Sequence, residues 1–124
     1  MSFDFSYRKL NVYQLSKELV RDVYSIISSF PKTENYALSD QIRRAVVSVP
    51  SNIVEGTARS SVKEQIHFME IAFGSLMETM CQIAHDLDYI TQEEMDKFEE
   101  KVVTVYKMLS AMQKSNINRL NCKP

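Results

Sequence analysis

Glu64-Gln-Ile-His67 sets a carboxylate and an imidazole three residues apart, the spacing with which a helix offers two ligands to one metal ion. A di-iron centre in a helical bundle needs two Glu-x-x-His pairs facing two further glutamates. The other histidine, His85, has Gln82 three residues before it, so the second pair is missing. Glu64 and His67 then read as ordinary residues near the start of a helix, and His85 as a half-exposed position beside Asp86 and Asp88. Cys81 and Cys122 lie too far apart for zinc spacing or a disulfide framework and read as two reduced thiols, Cys81 among apolar neighbours. No glycine-rich phosphate loop occurs. No metal, no cofactor and no enzymatic activity are expected.

The remaining chemistry is that of cations and phosphates. Arg43, Arg44, Arg59 and Lys63 are the candidate nucleic-acid-binding residues, since clustered Lys and Arg neutralise a phosphate backbone. The whole chain carries a formal charge of −1, which excludes reliance on bulk positive charge. Its distribution is uneven. Residues 1–66 hold nine Lys/Arg against seven Asp/Glu, and residues 67–124 six against nine. Carboxylates at helical spacing, Asp40 before Arg44 and Glu55 before Arg59, offer surface ion pairs as the plainer account of two of these arginines.

Positioning these residues falls to helices. Two glycines and three prolines in 124 residues allow few turns, and one core suits this length. Val12, Leu15, Leu19, Val23, Ile26 and Phe30 repeat at steps of three or four and end at Pro31. A second segment, from about Tyr36 to Gly56, carries Ile42, Val46, Val49 and Ile53, with Gly56 placed to close it in a left-handed conformation. The third opens on a Ser61–Glu64 capping box and runs through Met69, Phe73, Leu76, Met80, Ile83, Leu87 and Ile90. The fourth opens on a Thr91–Glu94 box and runs through Met95, Phe98, Val102, Val105, Leu109 and Met112. In the last two the period of 3.5 is that of helices wound left-handed on one another. The fold class is therefore all-α: one domain over residues 1–124, an antiparallel up-down-up-down four-helix bundle. An aromatic arm (Phe3, Phe5, Tyr7) within residues 1–8 is either disordered or laid in a neighbour's groove, and residues 114–124 are expected to fray. MSFDFSYRKL holds no apolar run of signal-peptide length and no 18-residue apolar stretch occurs, so no membrane partner and a cytoplasmic location are expected.

Pro50 interrupts this regularity, at a cost of roughly 3 kcal/mol in a helix interior. Around it, Gln41, Arg44, Ser48, Ser51, Asn52, Glu55 and Arg59 fall within about 60° of one line. Ile42, Val46, Val49 and Ile53 flank that line on one side, and Val47, Pro50 and Val54 on the other. The apolar arc is too wide for one core, so a second partner is implied, either another helix of the bundle or another subunit. A bend near Pro50 would let the helix serve both. Ser48, Ser51 and Asn52 would hydrogen-bond a neighbouring helix or supply the Val46 carbonyl that Pro50 deprives of an amide. Gly74, between Ala72 and Ser75, marks a close contact inside the bundle or between subunits.

These residues also carry a family resemblance over most of the chain. Leu10-Asn-Val-Tyr13, Phe30-Pro31, Glu34-Asn-Tyr-Ala-Leu38, Gln41-Ile-Arg-Arg-Ala45, Ser48-Val-Pro-Ser-Asn-Ile53, Glu55-Gly56, Arg59, and Ala72-Phe-Gly-Ser-Leu76 with Glu78 resemble a bacterial family of small four-helix-bundle proteins. The family includes proteins encoded by intervening sequences in 23S ribosomal RNA genes and the accessory variability determinant of diversity-generating retroelements. The resemblance implies a homo-oligomeric ring of five. In the retroelement branch it implies a basic barrel that binds a reverse transcriptase and its RNA template. By position, Arg43, Arg44 and Arg59 match the family's basic residues, and Ser51, Asn52 and Glu55 its polar motif. The retroelement members are strongly basic where this chain is slightly acidic. The leading expectation is thus a non-enzymatic oligomeric scaffold, with an RNA-binding accessory factor as the alternative.

Overall fold

The computed structural model describes residues 10–30, 36–85 and 90–122, with the side chains of residues 36, 37, 81, 84 and 85 excepted. Four helices follow in order: α1 (Asn11–Ser28), α2 (Tyr36–Thr57), α3 (Val62–His85) and α4 (Gln92–Asn121). The aromatic arm, the connection at 31–35, Leu87, and the side chains of Cys81 and His85 lie outside the described residues.

Local chemistry accounts for the helix ends. The amides of Ser29 and Phe30 bond the carbonyls of Ile26 and Ile27 at 3.2 and 3.1 Å, tightening the last turn of α1 before Pro31. At the start of α4, Thr91 Oγ1 accepts from the Glu94 amide at 3.1 Å while Glu94 Oε1 accepts from the Thr91 amide at 3.1 Å. This is the expected capping box. At α3 the Glu64 amide donates to Ser61 Oγ over a longer 3.4 Å.

Two expectations are corrected. Gly56 does not close α2 in a left-handed turn: the helix continues to Thr57, and no described glycine has a positive φ. Gly56 is needed for space, because a Cβ there would stand 2.5 Å from Met69 Cε. Nor does the chain fray after residue 113, since α4 is helical to Asn121. Side chains beyond the apolar seam hold it: Gln113 Nε2 donates to the Ile66 carbonyl at 3.0 Å, and the Arg119 guanidinium donates to Gln65 Oε1. Gln65 in turn donates to the Arg59 carbonyl at 2.7 Å, tying the end of α4 to the α2–α3 turn.

Each helix packs on its sequence neighbours, and α1 closes on α4, so the four stand at the corners of a square. Ser48 meets Ser75 while Gly56 faces Met69, hence α2 and α3 run in opposite directions. Phe73 meets Tyr106 and Ile66 meets Gln113, and α3 and α4 are likewise antiparallel. The centre is filled by Leu19 and Val23 of α1, Ile42, Val46, Val49 and Ile53 of α2, Met69, Leu76 and Ile83 of α3, and Phe98, Val105 and Leu109 of α4. Burying each of these side chains contributes about 1.5–3 kcal/mol. Of the predicted seam, Leu15, Phe73, Met80 and Met112 are only partly buried and form its margin. No described helix is long and apolar enough to cross a membrane.

Candidate assembly edges and nucleic-acid surface

The polar stripe of α2 divides into a seam and a surface. Ser75 Oγ donates to Ser48 Oγ at 2.8 Å, and Asn52 Nδ2 donates to the same oxygen at 2.8 Å and to the Ser48 carbonyl at 2.7 Å. Buried Thr79 extends the line by donating to the Ser75 carbonyl at 2.8 Å. Small residues at this contact let α2 and α3 approach closely, and their hydroxyls satisfy one another at a part-buried seam. Ser51 turns outward and donates to the Val47 carbonyl at 2.9 Å. The α2 helix continues through Pro50, whose ring is buried.

The four candidate cations are not brought together. Arg43 lies over the Tyr24 ring at 5.9 Å, on the side of α1. Arg44 points outward and is paired with Asp40 at 2.6 Å. Arg59, past the end of α2, pairs with Glu55 at 2.6 Å and stacks over the Phe68 ring at 4.8 Å on the side of α3. Lys63 is exposed in the first turn of α3. Both ion pairs anticipated from spacing are present, and each sets a carboxylate beside an arginine that a phosphate would need.

The four edges of the square differ. Ser48 and Ser75 close the α2–α3 edge. Lys101 Nζ bridges the α1–α4 edge to Asp22 Oδ2 at 2.6 Å, beside a groove of about 590 Å³ lined by Leu15, Ile26 and Phe98 together with charged Glu94, Lys97 and Glu100. The other two edges carry exposed large apolar side chains. Between α1 and α2 a groove of about 490 Å³ is lined by Tyr13, Val20, Val47, Pro50 and Val54, with Val47 39% exposed. The second apolar flank of α2 is therefore covered by α1 only in part. Between α3 and α4 the rings of Phe73 and Tyr106 meet edge to face at 5.4 Å. Met77, Val103 and Tyr106 on this edge remain 41% to 44% exposed. Because the square runs α1, α2, α3, α4, these two open edges lie on opposite sides of the bundle. Gly74 faces outward on α3, and a Cβ there would meet nothing within 4 Å, so no close contact among the described residues explains it.

A model of the 23S rRNA-intervening sequence proteins matches residues 8–111, taking in the first three helices and most of α4. The chain belongs to that family. No curated protein matches it in sequence. Within this intervening-sequence family member, Ser48, Asn52, Glu55 and Gly56 serve contacts inside the chain: a hydrogen-bonded seam, an ion pair and a space for Met69. Periodicity missed the α3–α4 edge. The signal was available, since Met77, Val103 and Tyr106 are apolar residues beside the seam positions Leu76, Val102 and Val105 and widen the arc as Val47 and Val54 do on α2.

Proposed function

We propose that this member of the 23S rRNA-intervening sequence family is a non-enzymatic scaffold that works as an assembly of identical chains. The observation carrying the reading is the pair of exposed apolar edges on opposite sides of the square, where aromatic and methionine side chains form the kind of surface that interface centres use. Five copies in a ring is the number that the family resemblance implies. Sedimentation velocity on the purified chain at micromolar concentration tests the reading. A discrete oligomer is expected, and a compact single chain under those conditions would end it.

Binding of structured RNA, as an accessory to a reverse transcriptase, is the second reading and has less support. Arg44 and Arg59 are engaged by Asp40 and Glu55, and the cations are divided among α2, the α2–α3 turn and the start of α3. Filter binding with a structured RNA across a salt series separates the two: the scaffold reading expects no binding at low salt. Binding that falls steeply as salt rises, and is lost on replacing Arg43 and Arg44 by glutamate, would establish the RNA reading instead.

A further inference from the structure

The two open edges differ in charge as well as in place. Along the α1–α2 groove, Lys17 and Arg21 flank Val20, and Arg43 lies over Tyr24 at the same edge. The acid lining that groove, Glu55, is held by Arg59 at 2.6 Å. On the opposite edge, exposed Glu70 stands one turn before Phe73 and Gly74, and exposed Glu99 one turn before Val103. No Lys or Arg shares the stripes of residues 66, 70, 73, 77 and 80 on α3 or 99, 103, 106, 110 and 113 on α4. The uneven charge of the two halves of the chain thus becomes a basic groove facing one way and an acidic, apolar ridge facing the other.

Resting on the self-assembly proposed above, we infer that the contact between copies is head-to-tail: the α3–α4 edge of one chain seats in the α1–α2 groove of the next. Tyr106, Met77 and Val103 enter the groove beside Val47 and Pro50, and Glu70 and Glu99 meet Lys17, Arg21 and Arg43. The self-complementary alternatives are disfavoured by charge. Groove against groove sets cations against cations, and ridge against ridge sets carboxylates against carboxylates. A contact using two different surfaces leaves one of each free after every addition, so growth continues unless the rotation from copy to copy closes a ring.

Charge reversal and mixing test the assignment, with sedimentation velocity as readout and circular dichroism to show that each variant is folded. Lys17→Glu with Arg21→Glu, or Glu70→Lys with Glu99→Lys, should each raise the concentration needed for assembly at least about tenfold, the equivalent of about 1.4 kcal/mol. All four reversals in one chain should restore it. Val47→Glu disables only the groove and Met77→Glu only the ridge. Each alone should be monomeric, and their mixture should stop at a one-to-one dimer, since one sound groove and one sound ridge remain. An oligomeric wild type unmoved by either reversal pair, or a mixture that grows past two copies, overturns the head-to-tail assignment and leaves self-assembly standing. A monomeric wild type removes the self-assembly reading itself.

Discussion

Ser75 Oγ donates to Ser48 Oγ at 2.8 Å across the α2–α3 contact, where Ser48 is also the acceptor for Asn52. This pair fixes the register of two antiparallel helices at a point where both carry small side chains. Ser75→Ala removes one donor and leaves Ser48 bonded to Asn52, so a loss of about 0.5–1.5 kcal/mol is expected. Ser75→Val also forces a larger side chain into the contact and should cost about 1–3 kcal/mol. Urea denaturation of the two variants measures both values. Equal stability of Ser75→Val and wild type would show that the contact is loose.

The two glycines predict different outcomes. Alanine is favoured over glycine in a helix interior by about 1 kcal/mol. At Gly74 nothing opposes that gain, and Gly74→Ala should stabilise the folded chain by about that amount. At Gly56 the new Cβ would meet Met69 Cε at 2.5 Å and Phe68 Cβ at 3.4 Å, with Met69 1% exposed. Overpacking costs about 1–3 kcal/mol, which meets or exceeds the propensity gain, so Gly56→Ala should be neutral to destabilising. Thermal midpoints of the two variants, compared side by side, check the contrast.

Pro50→Ala sets two terms against each other. Restoring an amide to the Val46 carbonyl and relieving the ring clash gains about 3 kcal/mol. Losing the buried ring methylenes costs about 0.8 kcal/mol each, or roughly 2 kcal/mol in all. A net stabilisation of about 1 kcal/mol is expected. Because the ring lines the α1–α2 groove, the same variant should weaken assembly while strengthening the fold. Denaturant midpoints read the first effect and sedimentation the second.

Arg119 holds the last turns of α4 through Gln65, and both ends of that contact reach solvent. Arg119→Ala should therefore cost no more than about 1 kcal/mol globally. Its effect should concentrate locally, with faster amide hydrogen exchange over residues 115–121 and unchanged protection around Val105 and Leu109. Uniformly faster exchange through α4 would contradict the local anchoring.

Much of the fold was legible in the chain because burial in a bundle obeys one short period. The steps of three and four from Val12 to Phe30, Leu15 excepted, and from Met95 to Leu109 mark residues that the structure buries, and Thr91 with Glu94 announced a helix start made by two local hydrogen bonds. The Asp40–Arg44 and Glu55–Arg59 pairs were legible for the same reason: four residues along one helix is a fixed distance. Gly56 misled because its composition signal fits either a left-handed cap or a crowded helix. Only the position of Met69, brought in from α3, separates them.

The sequence by itself determined which faces are apolar, where helices begin, and that the halves of the chain differ in charge. Tertiary structure decided which helices stand side by side. It therefore decided that Ser48 would find Ser75, that Arg119 would prolong α4 through Gln65, and that the two uncovered apolar edges would lie on opposite sides with opposite charge. The division follows from range: periodicity and capping act within one or two turns, whereas a partner across the bundle depends on how four separate rods are arranged.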